Sequence, residues 1–261
     1  MSRPRLAAIA FITLLGCAPV QKRVDAPAAG TAAPPPGPPD AADIVNAPDR
    51  TPEDREMDGQ RKPAALLAFL DLRPGQRVAE LVAGRGYTAE LLARAVGPTG
   101  RVYGHNTPFV LQRFAEKPWT ARLARPAMAN VVRLDRELED PFPQEIEGLD
   151  LVVMILFYHD TYWFGTDRAR MNRAVLRALK PGGSFVVIDH AAAKGAGAAV
   201  VKSHHRIEED MVKAELLAAG FHLESESDFL RNAADARDWN VFDETRRGTS
   251  DRFALRFVKP R

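Results

Sequence analysis

Cysteine occurs once in the 261 residues, at Cys17, so no disulfide can form within the chain and no cluster of thiolates can hold a metal. Charge of one sign is also lacking. The 36 basic side chains against 34 acidic ones leave a formal charge of +2, too weak a field for a nucleic-acid backbone, and neither DNA nor RNA is expected as a partner. Long apolar runs are missing as well: Leu6 to Leu15 is far short of the roughly 20 residues that cross a bilayer. No segment repeats, and no pair of ligands stands at a metal-motif spacing such as HExxH, so no resident metal is expected. What remains, 46% hydrophobic and 27% charged residues, suffices for one full-sized core with extensions.

The short apolar run has a meaning of its own. Arg3 and Arg5 precede it, and it closes on Leu14-Leu15-Gly16-Cys17, which resembles the lipobox of bacterial lipoproteins. The resemblance implies a signal peptide over residues 1–16, lipidation of Cys17 as the mature N-terminus, and a domain facing the periplasm. Ala18 is not an acidic sorting residue, so in a two-membrane organism the implied membrane partner is the outer membrane. Residues 17–50 are rich in Pro and Ala, including Pro34 to Pro39 interrupted once by Gly37, and are expected to be a stiff disordered tether.

The folded domain is expected over 51–261. Thr51-Pro52-Glu53-Asp54 reads as a helix start and Pro63 to Leu70 as a second helix. Strands are expected at Val78–Val82, Arg101–Tyr103, Val131–Leu134, Leu149–Phe157 and Ser184–Asp189, then from Phe221 and near Phe253–Val258. Helices fall between them: Tyr87–Val96, one from Thr107-Pro108, one capped by Asp167 and ended by the Lys180-Pro181-Gly182-Gly183 turn, and one near Ile207–Ala219. This alternation implies an α/β fold: a Rossmann-like, doubly wound, seven-stranded sheet, mostly parallel, with helices on both faces. The apolar run LDLVVMILF should lie at its centre.

The first strand runs through Glu80-Leu81-Val82-Ala83-Gly84-Arg85-Gly86-Tyr87 directly into a helix, the arrangement in which a ligand sits against a glycine turn and a helix N-terminus. From about Arg50 onward the chain resembles the class I S-adenosylmethionine-dependent methyltransferases. Glu80, Gly84 and Gly86 look like that family's first motif, which implies contact with the methionine part of the cofactor, with Tyr87 at the helix start. Asp135, in LDRELEDPF, stands where the family often has an acid near the adenine. LKPGG before FVVID is a further shared feature. More narrowly, GYTAELLARAVGPTGRVYGHN, Tyr158-His159-Asp160 and HRIEEDMVKAELLAAGF look like a group of predicted bacterial methyltransferases. Two positions depart from the family. Val82 replaces its first glycine, and Asn106 stands where an acid commonly holds the ribose; a neutral bond from Asn106 to a hydroxyl is about half as strong as a charge-assisted one.

Histidines supply a second pattern. His105, His159, His190, His204 and His205 all fall at the carboxyl edge of the expected sheet, and only His222 lies elsewhere. A methyl acceptor must lose a proton, and His159 and Asp160, with His190 next, are the candidates for that role. Imidazoles with Asp160 or Asp189 could instead hold a zinc-type ion, although their spacing argues against it. Tyr158, Tyr162, Trp163 and Phe164 are read mainly as a packed loop, and Trp239–Phe242 as core or lid. The expected function is methyl transfer from S-adenosylmethionine to a small molecule or an envelope component. The alternatives are a non-catalytic binding module on the same fold and a metal-dependent hydrolase-like activity.

Overall fold

The structure is a computed structural model that describes Met1 and residues 37–261. The expected signal peptide, Cys17 and the tether as far as residue 36 lie outside the described residues. Order begins earlier than the sequence suggests. Within the stretch read as tether, Asp40 caps a short helix, α1 (Ala41–Val45), by accepting from the Ala42 N–H at 2.8 Å. Ile44 is its anchor: buried at 7% exposure, it packs with α3 and α4, described next. Helix α2 (Pro52–Arg61) starts as expected, with the Thr51 hydroxyl accepting from the Asp54 N–H at 3.2 Å, and Lys62 in left-handed conformation separates it from α3 (Pro63–Leu70).

The alternating part runs β1 (Arg77–Leu81), α4 (Tyr87–Val96), β2 (Arg101–Asn106), α5 (Pro108–Val110) leading through a π-turn into α6 (Glu116–Leu123), then β3 (Val131–Asp135) and β4 (Leu149–Ile155). It continues with α7 (Tyr158–Trp163), α8 (Arg168–Ala178), β5 (Leu179–His190), α9 (Val201–His204), α10 (Glu209–Ala218), β6 (His222–Ser227) and β7 (Arg252–Val258). The strands form one sheet in the order β3-β2-β1-β4-β5-β7-β6. β7 alone runs antiparallel to its neighbours β5 and β6, and β4 is central. Neighbouring strand residues face opposite sides. Ala79, Leu81, Val152, Met154, Phe185 and Val187 meet α6, α8 and α10, whereas Val78, Leu151, Val153, Val186 and Ile188 meet α1, α3 and α4. The expected doubly wound sandwich is therefore present, with a core on each face.

Three boundaries differ from the sequence reading. β2 runs on to Asn106 because His105 and Asn106 pair with Leu134 and Asp135 of β3. β4 stops at Ile155: Leu156 adopts φ 57°, a left-handed turn that sends the chain into α7 instead of extending the strand to Phe157. The Lys180-Pro181-Gly182-Gly183 segment is not a turn before β5 but its first part. It is absorbed by a register shift against β4, and a Cβ on Gly183 would come within 2.8 Å of the Leu149 carbonyl oxygen.

The irregular stretch 228–251 is organised by one carboxylate. Asp235 accepts from the Arg206 guanidinium at 2.8 Å, the Trp239 indole at 2.7 Å and the backbone N–H groups of Arg237 and Asp251 at 2.9 and 2.6 Å. Both side chains of the Arg206–Asp235 pair are fully buried. Asp235→Ala should therefore leave a buried guanidinium uncompensated and lower unfolding free energy by about 3–5 kcal/mol. Urea denaturation checks this; a loss within about 1 kcal/mol would mean that the stretch is held by its other contacts.

Candidate active site at the carboxyl ends of the strands

The turn after β1 depends on backbone conformation. Val82, Gly84 and Gly86 all have positive φ, at 55°, 56° and 87°. Val82 thus keeps the left-handed geometry for which glycine is the ordinary residue, at a cost of roughly 1–2 kcal/mol for an L-residue. The two glycines serve different ends. A Cβ on Gly84 would meet nothing within 4 Å, so the space over it is open, whereas a Cβ on Gly86 would lie 2.4 Å from the Trp119 ring. Gly86 is therefore required by the packing of α6 and starts α4.

The end of β2 secures this turn. The Asn106 carboxamide accepts from the Gly84 N–H at 2.8 Å and donates to the Gly84 carbonyl at 3.1 Å. Fully buried and bonded through both polar atoms, Asn106 pegs the turn. His105 lies beneath, its Nε2 2.9 Å from the Arg136 carbonyl oxygen, and burial pushes its pKa down to about 4. It is a neutral structural residue and does not join the other histidines.

Glu80 is buried at 4% exposure. Burial raises its pKa to about 7, against hydrogen bonds from the Thr88 hydroxyl and the Ala89 N–H and the nearby charge of Arg61. Its Oε2 has no hydrogen-bond partner. The Arg61 guanidinium has no ion pair or hydrogen bond among the described residues and rests 5.5 Å from the centre of the Tyr87 ring; burial lowers its pKa. Arg61 and Thr88 line a cavity of ≈ 10 Å³ together with Leu156, Ile188 and Arg252. The Tyr87 hydroxyl donates to Asp58 at 2.7 Å. Asp135 pairs with Arg133 at 2.8 Å and borders, with Pro108 and Arg136, an open hollow of ≈ 560 Å³.

The expected catalytic candidates do come together. Asp189, at the end of β5, is fully buried and accepts from the backbone N–H of His159 at 2.7 Å, its Nδ1 at 2.8 Å and the His190 N–H at 2.7 Å. Burial opposes the imidazolium of His159, but Asp189 and then Asp160 outweigh it and hold its pKa above the ordinary value. For His190, burial and then the neighbouring His159 push the pKa well below it, and its Nδ1 lies 2.8 Å from the Ser250 hydroxyl. The His159 ring is 5.9 Å from that of His190 and 5.5 Å from that of His205. His205, which the sequence places at this edge without a role, joins them. It follows α9 in left-handed conformation at φ 53°, which aims it away from the course of its neighbour, and Trp163 and Phe242 cover its ring at 4.9 and 4.7 Å. Of the aromatics after β4, Tyr158 and Tyr162 bond Glu215 at 2.7 Å each, while Trp163 and Phe164 are exposed.

No protein-family model matches the chain. Among solved structures it resembles a methyltransferase dependent on S-adenosylmethionine from Aquifex aeolicus, with 18% identity and a TM-score of 0.57 over 84% of this chain and 98% of that one. It also resembles the arsenic(III) S-adenosylmethionine methyltransferase of Chlamydomonas reinhardtii, at 20% identity and a TM-score of 0.52 over 88% and 75%. The cyclase SpnF is similar at 18% identity and a TM-score of 0.52 over 79% and 80%. The chain thus has the class I methyltransferase fold, which in these neighbours supports methyl transfer in two cases and a cyclase in the third.

Proposed function

We propose that this chain is a methyltransferase that uses S-adenosylmethionine and acts on a small molecule or an envelope component. The observation that carries the reading is a pair of side chains of opposite sign beside the glycine turn. Buried Glu80 has an Oε2 without a hydrogen-bond partner, and half-buried Arg61 makes no ion pair or hydrogen bond among the described residues, so together they complement the ammonium and carboxylate of an α-amino acid. When bound, the cofactor supplies an electrophilic methyl group. Glu80 would hold its ammonium, Arg61 its carboxylate, and the bare backbone of Gly84 the space between turn and ligand. At the neighbouring strand end, His159 is oriented by Asp189 to receive a proton from the acceptor, with Asp160 beside it.

The cavity of ≈ 10 Å³ that Arg61 lines is about the size of one water molecule and far too small for the cofactor, so entry of the cofactor requires its lining side chains to move. That closure, and the commitment of Asn106 to the turn, favour the second reading: a binding module that keeps the fold without the chemistry. Lipid anchorage at Cys17 and a periplasmic setting belong to the first reading and rest on residues 1–17.

Calorimetric titration of the full chain with S-adenosylmethionine and S-adenosylhomocysteine separates the readings. Micromolar binding, about −8 kcal/mol, supports catalysis, and no heat makes the non-catalytic module the better account. Glu80→Gln should weaken that binding about 10- to 100-fold and remove its dependence on pH below 7, where the wild-type carboxyl must first lose a proton. Without ligand the sign reverses. The raised pKa means that the stability carried by protonated Glu80 is complete below pH 4.5 and is lost as pH rises through about 7, so Glu80→Gln should match wild type in acid and exceed it by about 3 kcal/mol above pH 7. Parallel denaturation curves across that range would refute a charged, unpaired Glu80. Cys17→Ser should abolish incorporation of labelled palmitate; retained label would place the anchor elsewhere.

A further inference from the structure

Nε2 of His159, Oδ1 of Asp160 and Nδ1 of His205 lie within 4.8 Å of one another. Each is buried and has no hydrogen-bond partner. The His159 Nδ1–H is committed to Asp189 at 2.8 Å, so in the neutral ring Nε2 presents a lone pair, and a carboxylate presents nothing else. With His205 carrying its proton on Nε2, all three atoms are acceptors, and a water molecule has only two hydrogens to give them. A proton on His159 Nε2 would face Asp160 at 3.3 Å outside hydrogen-bonding geometry and would leave His205 unserved.

We propose that His159, Asp160 and His205 bind a divalent transition-metal ion of the zinc type. Ligand atoms about 2.05 Å from a tetrahedral ion are about 3.3 Å apart. The separations from Asp160 Oδ1 to His159 Nε2 and to His205 Nδ1 are both 3.3 Å, leaving only the distance between the two histidines to adjust. Asp189 behind His159 is the outer carboxylate that fixes the tautomer and ring angle of a metal-bound imidazole, and Trp163 and Phe242 shield His205. The side chains of Asp160 and His205 remain 18% and 15% exposed, so a fourth position can open to a ligand. Insofar as the methyltransferase reading holds, the ion narrows the acceptor to a hydroxyl or thiol that coordinates it and gives its proton to solvent. His159 is then a ligand, and the ion replaces it as the agent of deprotonation.

The test is a cobalt(II) titration of the untagged full chain after chelator treatment, without cofactor. One equivalent should bind with the visible absorption of a four- or five-coordinate ion and be displaced by zinc. His205→Ala and Asp160→Asn should each weaken binding by at least about 100-fold while near-ultraviolet circular dichroism stays native. Failure of wild type to bind at micromolar metal, or wild-type affinity in either variant, overturns the site. Should a variant unfold, X-ray absorption of the wild-type zinc form decides: two imidazoles and an oxygen at about 2.0–2.2 Å support the assignment, and a shell without imidazole overturns it. Metal binding is read apart from S-adenosylmethionine binding, so loss of either leaves the other standing.

Discussion

A carboxylate removed from water must be surrounded by donors or lose its charge, and Asp189 is the point at which this chain meets that demand. Its donors are two backbone N–H groups and one imidazole, and they come from different elements: the start of α7 and the end of β5. The same bonds therefore fix where β5 stops, how the chain re-enters after β4, and which nitrogen of His159 faces outward. The chemistry of the edge follows from that tautomer. With Nδ1 engaged, Nε2 has either a proton to accept or an ion to bind, and no described residue hydrogen-bonds it.

The first-motif turn shows how one sequence signature contains separate physical requirements. Val82 shows that the left-handed backbone persists without glycine, since the ladder bond from the Ala83 N–H to the His105 carbonyl and the Asn106 peg over-determine the path. Gly86 serves a tryptophan. Of the two glycines of this turn, Gly84 is the one that leaves space no described residue fills. A ligand claim at such a turn is therefore a claim about Gly84, Glu80 and Arg61, not about the motif as a whole.

How much was legible in the sequence follows the same division. The two-sided apolar run of β4 and the helix caps at Thr51 and Asp167 carry short-range signals, and these placed the sheet, its centre and most of its helices. His159, Asp160 and His190 were found because strand ends bring their successors to one edge. What was hidden depended on distant partners. Ile44 orders a Pro- and Ala-rich segment only by meeting α3 and α4, Asn106 is spent on Gly84, and Gly183 is demanded by the backbone of another strand. His205 was placed at the same edge, but its pairing with His159 was hidden for a further reason: adjacent histidines ordinarily diverge, and the left-handed turn at its own α-carbon puts it beside His159.

The two halves of the edge are coupled by topology. β1 and β4 are hydrogen-bonded neighbours, Leu81 opposite Met154, and the strand order reverses between them. Adjacent strands lie about 4.8 Å apart, so the turn bearing Glu80 and Gly84 and the helix bearing His159 begin within a few ångströms of a common crevice. One side carries Glu80 and Arg61, of opposite sign, and the other carries His159 Nε2, Asp160 Oδ1 and His205 Nδ1, buried and without hydrogen-bond partners among the described residues. Arg61 alone of these groups is held on a helix outside the alternating β-α series, and with Thr88 and Leu156 it lines the small cavity beside the turn, so its position depends on the packing of α2 and not on the register of any strand.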